Sequence, residues 1–297
     1  MQRVTQSMMS SQLLRNLNTN MRQMDNLQNQ LSTGRKLNKP SDDPVGITYS
    51  MRYRSELSAN EQYEKNADAA QSWLDFTDTV LGQAGDVFQR VRELAVQGAN
   101  GTNTPESLNS IKSEIGQLYE QLVQIGNSEF NGKYVFNGQF TDVAPYTSAS
   151  AATEMTDAVH IQYEVSPGVK MPVSTTGNEV FGAPSDDDNA FKVLKDLISA
   201  LDSADSSAVG DVLGKLDSRY DKFLEVRAEV GAKTNRLEHA ENRLKDININ
   251  LESLQSKTED ADLSEVITRF LMSENVYRSS LSAGSKLIQP SLVDFLR

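Results

Sequence analysis

The sequence predicts a mainly α protein: an elongated rod of long antiparallel helices, a terminal coiled coil and a small β-containing insertion. Three observations predict this. Apolar residues recur at heptad spacing near both chain ends, and clusters of glycine and proline punctuate those runs. Only the stretch from about residue 130 to 188 switches to short alternating segments with Asn-Gly and Pro-Gly turns.

In the first helical run Leu17, Met24 and Leu31 share one heptad position and Leu13 and Leu27 its partner. Asn20 interrupts this seam, while Leu14 and Met21 widen it. The run stops in LSTGRKLNKPSDDPVG, Leu31 to Gly46. Gly34 is placed to end the helix in the left-handed conformation. Pro40 and Pro44 forbid a continuous helix, and Asp43 suits an N-cap with Pro44 as first helical residue. Asp42 joins it as a capping acid. The second stripe runs Ala67, Ala70, Leu74, Thr77, Leu81, Ala84, Phe88, Val91, Ala95. After a loop, Thr104-Pro105 caps a third helix with stripe Leu108, Ile111, Ile115, Leu118, Leu122, Ile125.

The middle reads differently. FNGKYVFNGQF, Phe130 to Phe140, carries two Asn-Gly pairs and predicts a hairpin. HIQYEV (160–165), VKMPV (169–173) and NEVFG (178–182) are strand candidates, and YTSASAATEMTDA (146–158) reads as a mobile loop. SDDDNAFKVLKDLISAL starts another helix, with Ser185 to Asp188 expected to supply its N-cap and first-turn acids. Then Phe223, Val226, Val230, Leu237, Ala240, Leu244, Ile247, Leu251, Leu254 and Ala261 share one register, broken at Lys233 and Thr258. The last run, from Leu263, is expected to present Ile267, Phe270, Tyr277, Leu281 and Ile288 on one face until Pro290. None of these helices buries its stripe alone, so the two chain ends are expected to fold together.

Composition excludes several function classes. The 297 residues hold no cysteine and only His160 and His239, which removes disulfide, thiol and histidine-rich metal chemistry. A net charge of −12 disfavours general nucleic-acid binding, although residues 1–39 carry Arg3, Arg15, Arg22, Arg35, Lys36 and Lys39 against Asp25 alone. That basic start suits a helix packing on a partner better than a transit peptide or membrane-surface helix, its stripe being narrow and Asn/Gln-rich. No apolar run reaches the length of a membrane span and no ordinary secretory signal opens the chain. On composition alone the protein reads as cytoplasmic.

No constellation specifies catalysis. Asp186-Asp187-Asp188-Asn189 lacks the spaced ligands of a calcium loop. Asp42-Asp43 reads as capping beside Pro44, His239 as a solvated position and Trp73 as packing. His160 has no triad partners around it in the sequence. The glycine pairs lack a phosphate-loop pattern. Gln89-Arg90-Val91-Arg92-Glu93-Leu94 is a basic spot on a helix, read as solvated or packing surface rather than nucleic-acid readout. No enzyme, cofactor or metal is expected.

Three of these stretches, in order, carry a resemblance. Leu31-Ser32-Thr33-Gly34 followed by Leu37-Asn38 and Asp42-Asp43 is similar to the flagellin LSSG-x-x-IN…DD segment. Gln89, Arg90, Arg92, Glu93 and Leu94, in QRVRELAVQGANGT, resemble the signature ending the long N-terminal helix of that superfamily. Arg227, Gly231, Asn235 and Arg236 match its R-x-x-x-G-A-x-x-N-R element. The chain therefore resembles the flagellin superfamily over about residues 1–140 and 215–297. Its start, RVTQSMMSSQLLRNL, its ending, Gln289 to Leu296, and its modest insertion resemble the hook–filament junction members more than flagellins.

The resemblance implies a flagellin-like division: 1–44 terminal helix and spoke, 45–129 and 189–262 helical halves, 130–188 exposed insertion, and 263–297 a C-terminal coiled-coil segment. It implies a non-enzymatic structural role in the flagellum. It also implies export, unfolded, through the flagellar type III channel, which replaces the cytoplasmic reading. The implied partners are further copies in a ring, hook-associated protein 1, flagellin and an export chaperone, with neither nucleic acid nor membrane. Flagellin itself, or a non-flagellar secreted tip or translocator protein, are the alternatives. Leu13, Leu17, Met24, Leu27, Leu31, Leu281, Leu287, Ile288, Leu292, Phe295 and Leu296 are the expected assembly residues, and Gly34, Asp42, Asp43 and Pro44 the expected hinge. Short and interrupted, the terminal helices are expected to be disordered in the free monomer.

Overall fold

The structure, a computed structural model, describes residues 6–100 and 103–287. Among these residues it is 72% helical with only two-stranded sheets, so the mainly α class stands. In chain order the elements are α1 (Gln6–Thr33), α2 (Pro44–Gly98), α3 (Pro105–Gly126), β1 (Glu129–Phe130), β2 (Lys133–Tyr134), β3 (Gln162–Ser166), β4 (Val169–Pro172), α4 (Gly177–Phe181), α5 (Ala190–Asp202), α6 (Ser206–Glu259) and α7 (Leu263–Leu287). The chain forms two compact units, one of residues 60–247 and one of the two chain ends, 1–59 with 248–297. The division falls within α2 and α6.

In the 60–247 unit the predicted α2 stripe is the core. Ala67, Ala70, Leu74, Thr77, Leu81, Ala84, Phe88, Val91 and Ala95 are all buried. Here α6 runs antiparallel to α2, because Asn60 Nδ2 donates to the Leu244 carbonyl while Arg92 pairs with Asp217. Phe223, Val230, Leu237 and Leu244, seven residues apart, form the buried line of α6, and Phe223 meets Phe88 at 5.3 Å between rings. The register continues beyond that point, but Ile247 and Leu254 are exposed. Thr104 caps α3 by accepting from Ser107 N, with Pro105 at the first position. Trp73 is buried edge-on to Phe130.

The insertion departs from its sequence reading in several places. The Asn131-Gly132 turn does make a hairpin, with positive φ at both residues, but its strands are only two residues long. Asn137-Gly138 makes a turn without a further strand. NEVFG is helix α4 rather than a strand: Thr176 accepts from Glu179 N while the Glu179 carboxylate takes Thr176 N, a capping box that outweighs strand propensity. The β3–β4 hairpin turns at Pro167-Gly168, with Gly168 at φ +72°.

The Tyr146–Ala158 stretch is pinned rather than mobile. Ala151 and Thr156 are buried, Glu154 accepts from the Thr147 amide, and Tyr119 and Lys195 donate to the Ser148 and Ala149 carbonyls. Its Tyr146 ring packs against Phe181 and Phe191, which with Phe136 form an aromatic cluster. Burial raises the Tyr146 phenol well above its ordinary range. Finally, Asn189, not Ser185–Asp188, caps α5, accepting from Lys192 N. The acids ahead of it are drawn off by Arg219 of α6, a fully buried guanidinium that bonds Asp188 Oδ1 and, at 3.3 Å, Asp186 Oδ2.

Candidate assembly site in the terminal unit

The terminal unit is built on α1 and α7. The residues of α1 that turn away from solvent include Leu13, Leu17, Asn20, Met24, Leu27 and Leu31, spaced four, three, four, three, four as in a coiled-coil seam. Those of α7 include Val266, Phe270, Ser273, Tyr277, Ser280 and Gly284, in the same spacing. The helices are antiparallel: Gly284 packs so closely on Leu13 that a Cβ there would lie 2.5 Å from Leu13 Cδ2, while Ala261 N donates to the Gly34 carbonyl at the other end. Leucines of α1 thus meet a seam rich in small residues.

This places the predicted terminal residues. Leu13, Leu17, Met24, Leu27 and Leu31 lie on the seam with α7. Leu281 and Ile267 do not share the α7 seam as expected; they are 46% and 47% exposed. The reason is phase, since Val266 and Ser280 lie on the inward face one position away from each. Helix α7 ends at Leu287. Ile288, Leu292, Phe295 and Leu296 lie outside the described residues.

Between α1 and α2 the chain is held by caps. Gly34, at φ +70°, ends α1, its N–H donating to the Gln30 carbonyl. Asp42 accepts from the Asn38 and Lys39 amides. Asp43 accepts from Val45 N, and α2 begins at Pro44. Gly46 has no Cβ because one would strike Asp43 and Leu37.

The end of α6 receives this segment. Lys36 N donates to the Glu259 carbonyl at 2.7 Å, and Arg35 pairs with Asp260 in a single antiparallel bridge. The Glu259 carboxylate, 1% exposed, accepts both Nε and Nη2 of Arg54, at 2.8 and 2.6 Å, and the Ser50 hydroxyl; Arg35 stands at 3.4 Å. Burial, the largest influence, would raise its pKa, but the hydrogen bonds of Arg54 and Ser50 and the Arg54 charge outweigh it and hold the carboxyl below its ordinary range. Sequence reading missed Glu259, Ser50 and Arg54, because a charged residue at a helix end reads as solvated.

The signature residues lie in the other unit, where Gln89, Arg90, Arg92 and Arg227 tie helices together. Gln89 bonds the Tyr220 hydroxyl, Arg90 bonds Glu114 and Glu93, and Arg92 bonds Asp217, while Leu94 is buried. Arg227 reaches Asp78 at 3.0 Å, whereas Gly231, Asn235 and Arg236 are exposed. His239 is exposed, and His160 lies between the Ser174 carbonyl and Glu179. No group of three or more His, Cys, Asp or Glu placed to hold a metal occurs among the described residues, and none of their helices is long and apolar enough to cross a membrane.

The family model of the bacterial flagellin N-terminal helical region matches residues 4–141, and that of the C-terminal helical region matches residues 213–296. Together they span most of the chain, which therefore belongs to the flagellin family, a family of structural proteins rather than enzymes. Among its relatives, the flagellar hook-associated protein 3 of Escherichia coli K12 is 25% identical over 303 residues, covering 95% of each chain. A flagellin of Bacillus subtilis is 28% identical over 251 residues, 81% of each chain. Two solved structures share the fold. The flagellar junction protein FlgL of Legionella pneumophila has a TM-score of 0.59 at 17% identity, covering 71% of this chain and all of that one. Xanthomonas campestris FlgL has a TM-score of 0.61 at 19% identity, covering 69% and 99%.

Proposed function

We propose that the chain is a structural component of the bacterial flagellum that joins hook to filament. It leaves the cell unfolded through the flagellar type III system with a dedicated chaperone. Outside, it forms a ring of identical copies between hook-associated protein 1 and the first flagellin subunits. The observation that carries this reading is the end-to-end correspondence with hook-associated protein 3, 95% of both chains. The terminal unit supports it. Leu14 and Met21 on α1, Val45, Tyr49 and Met51 on α2, and Leu271, Met272 and Val276 on α7 are all exposed apolar side chains. Seam residues such as Leu17 and Leu27 face within the chain, so this outer set, with Ile267 and Leu281, is the surface offered to neighbouring subunits. So many exposed large apolar side chains on one small unit suit association.

A second reading, bulk filament subunit, is favoured by the 28% identity to Bacillus subtilis flagellin. Deleting the gene separates the two. A junction protein leaves bare hooks while flagellin monomers accumulate in the medium. If instead the protein is the main component of sheared filaments, the junction reading fails.

A further inference from the structure

Among the described residues of the terminal unit Glu259 is the one acid whose side chain is shut from water, and its position is unusual. It is the last residue of α6, and its carboxylate and carbonyl together hold Arg35 and Lys36, just after α1, and Ser50 and Arg54, on the first turns of α2. Two residues further on, Ala261 N is bound by the Gly34 carbonyl, and α7 begins at Leu263. The exit of α1 and the entry of α7 are therefore fixed beside one another by backbone hydrogen bonds, and the Glu259 side chain fastens that junction to Arg35 and to Ser50 and Arg54 of α2. The coil beyond that base is weak by itself: among the described residues Leu27 and Val266 are the only buried apolar seam residues, and half the α7 seam is serine or glycine. Two such helices stay paired only if their ends are held together, because tethering removes most of the entropy lost on closing the loop between them.

We infer that the Glu259 carboxylate is a latch that makes the two chain ends one cooperative element: engaged with Arg35 and Arg54 it closes α1 on α7, and disengaged it frees both helices together. An ordinary ion pair at a helix end would steady only the residues it touches. The latch reaches α1 residues some 20 positions from any contact with Glu259, through pairing with α7.

Hydrogen exchange on the full chain tests this, comparing the wild type with Glu259→Gln, which keeps shape but loses charge, and Arg54→Gln, which breaks the bond from its other side. Both variants should exchange about tenfold or more faster along α1 and along α7, in step, as hydrogen bonds to a buried charge are lost. Protection of α3 and α5, in the other unit, should not change. Four results would overturn the latch: faster exchange confined to residues flanking positions 35, 54 and 259; loosening of one terminal helix without the other; equal loosening of α3 and α5, the mark of a general folding residue; or no protection of α1 and α7 in the wild type to begin with.

Discussion

Arg219 shows how much one side chain can decide while leaving little trace in the sequence. It is 2% exposed, donates Nε to the Asp188 carbonyl at 2.9 Å and pairs with the Asp188 carboxylate, which Lys222 also holds at 2.7 Å. Replacing it by methionine leaves Asp188 with one exposed cation and a buried carbonyl unpaired. We expect Arg219→Met to destabilise the 60–247 unit by about 3 kcal/mol; a loss under about 1 kcal/mol in denaturant titration would contradict the pairing. Asp188 and Glu259 also set a pH dependence. Burial, the largest influence, would raise both carboxyls. Lys222 and Arg219 on Asp188, and Arg54 and Ser50 on Glu259, outweigh it, so both titrate lower when folded than when unfolded. Such acids contribute stability above the ordinary carboxyl range and lose it as pH falls through the folded value. Unfolding free energy should therefore decline below about pH 4, and the decline should shrink in Glu259→Gln. Capping chemistry made Gly34, Asp43 and Pro44 readable in advance, since each acts on its immediate neighbours. Arg219 and Glu259 act through partners about 30 and 200 positions away, and no local pattern announces that.

Among elements, the heptad stripes and the α3 cap were legible, a capping box set against strand-like alternation was not, and neither were segments settled by tertiary contact. Every position of the predicted α2 stripe is buried, and α3 starts at the predicted cap. NEVFG alternates like a strand, yet Thr176 and Glu179 close it into α4. Thr176→Ala should therefore lower stability by about 1 kcal/mol, where a strand at this site would tolerate the change; a thermal melt decides. Low polarity contrast and small residues made Thr147–Thr156 look mobile, but Ala151 and Thr156 are buried and the backbone accepts from Tyr119 and Lys195. Deleting these residues should reduce the melting temperature measurably, and an unchanged melt would return the segment to the status of a free loop. At the end of α1 the strain is conformational alone: a Cβ on Gly34 would touch nothing, but φ is +70°. Gly34→Ala should weaken the terminal unit by about 1–2 kcal/mol, visible as faster amide exchange in α1.

At the scale of the whole molecule the two units differ in how much apolar surface secures them. The continuous core runs from Ala67 to Leu244 and lies wholly in the 60–247 unit. Among the described residues of the terminal unit only Leu27, Leu37 and Val266 are buried apolar side chains. Sequence periodicity could find helices at both ends and pair them, but it weighs a seam residue at its full hydrophobicity whether or not its neighbour is large enough to cover it. Leu13 against Gly284 is covered closely; Ile267, Leu271 and Leu281 are left outside. A buried aliphatic side chain contributes about 1.5–3 kcal/mol, and ordering a single backbone residue opposes folding by about 1–2 kcal/mol. Two buried seam side chains, with the part-buried rest of the seam, secure helices of 28 and 25 residues far less firmly than the continuous core secures the other unit. The terminal unit should therefore open at a fraction of the free energy that unfolds the core, and on the proposed function assembly should close it further. Limited proteolysis of the dilute monomer should cut first between Gly34 and Asn60 and between Ile247 and Asp262, leaving a resistant fragment that retains the core. Cleavage should be slower in assembled material than in monomer, and faster in Glu259→Gln than in wild type. If the monomer's ends resist protease as long as the core does, the terminal coil is stable alone and assembly is not what completes it.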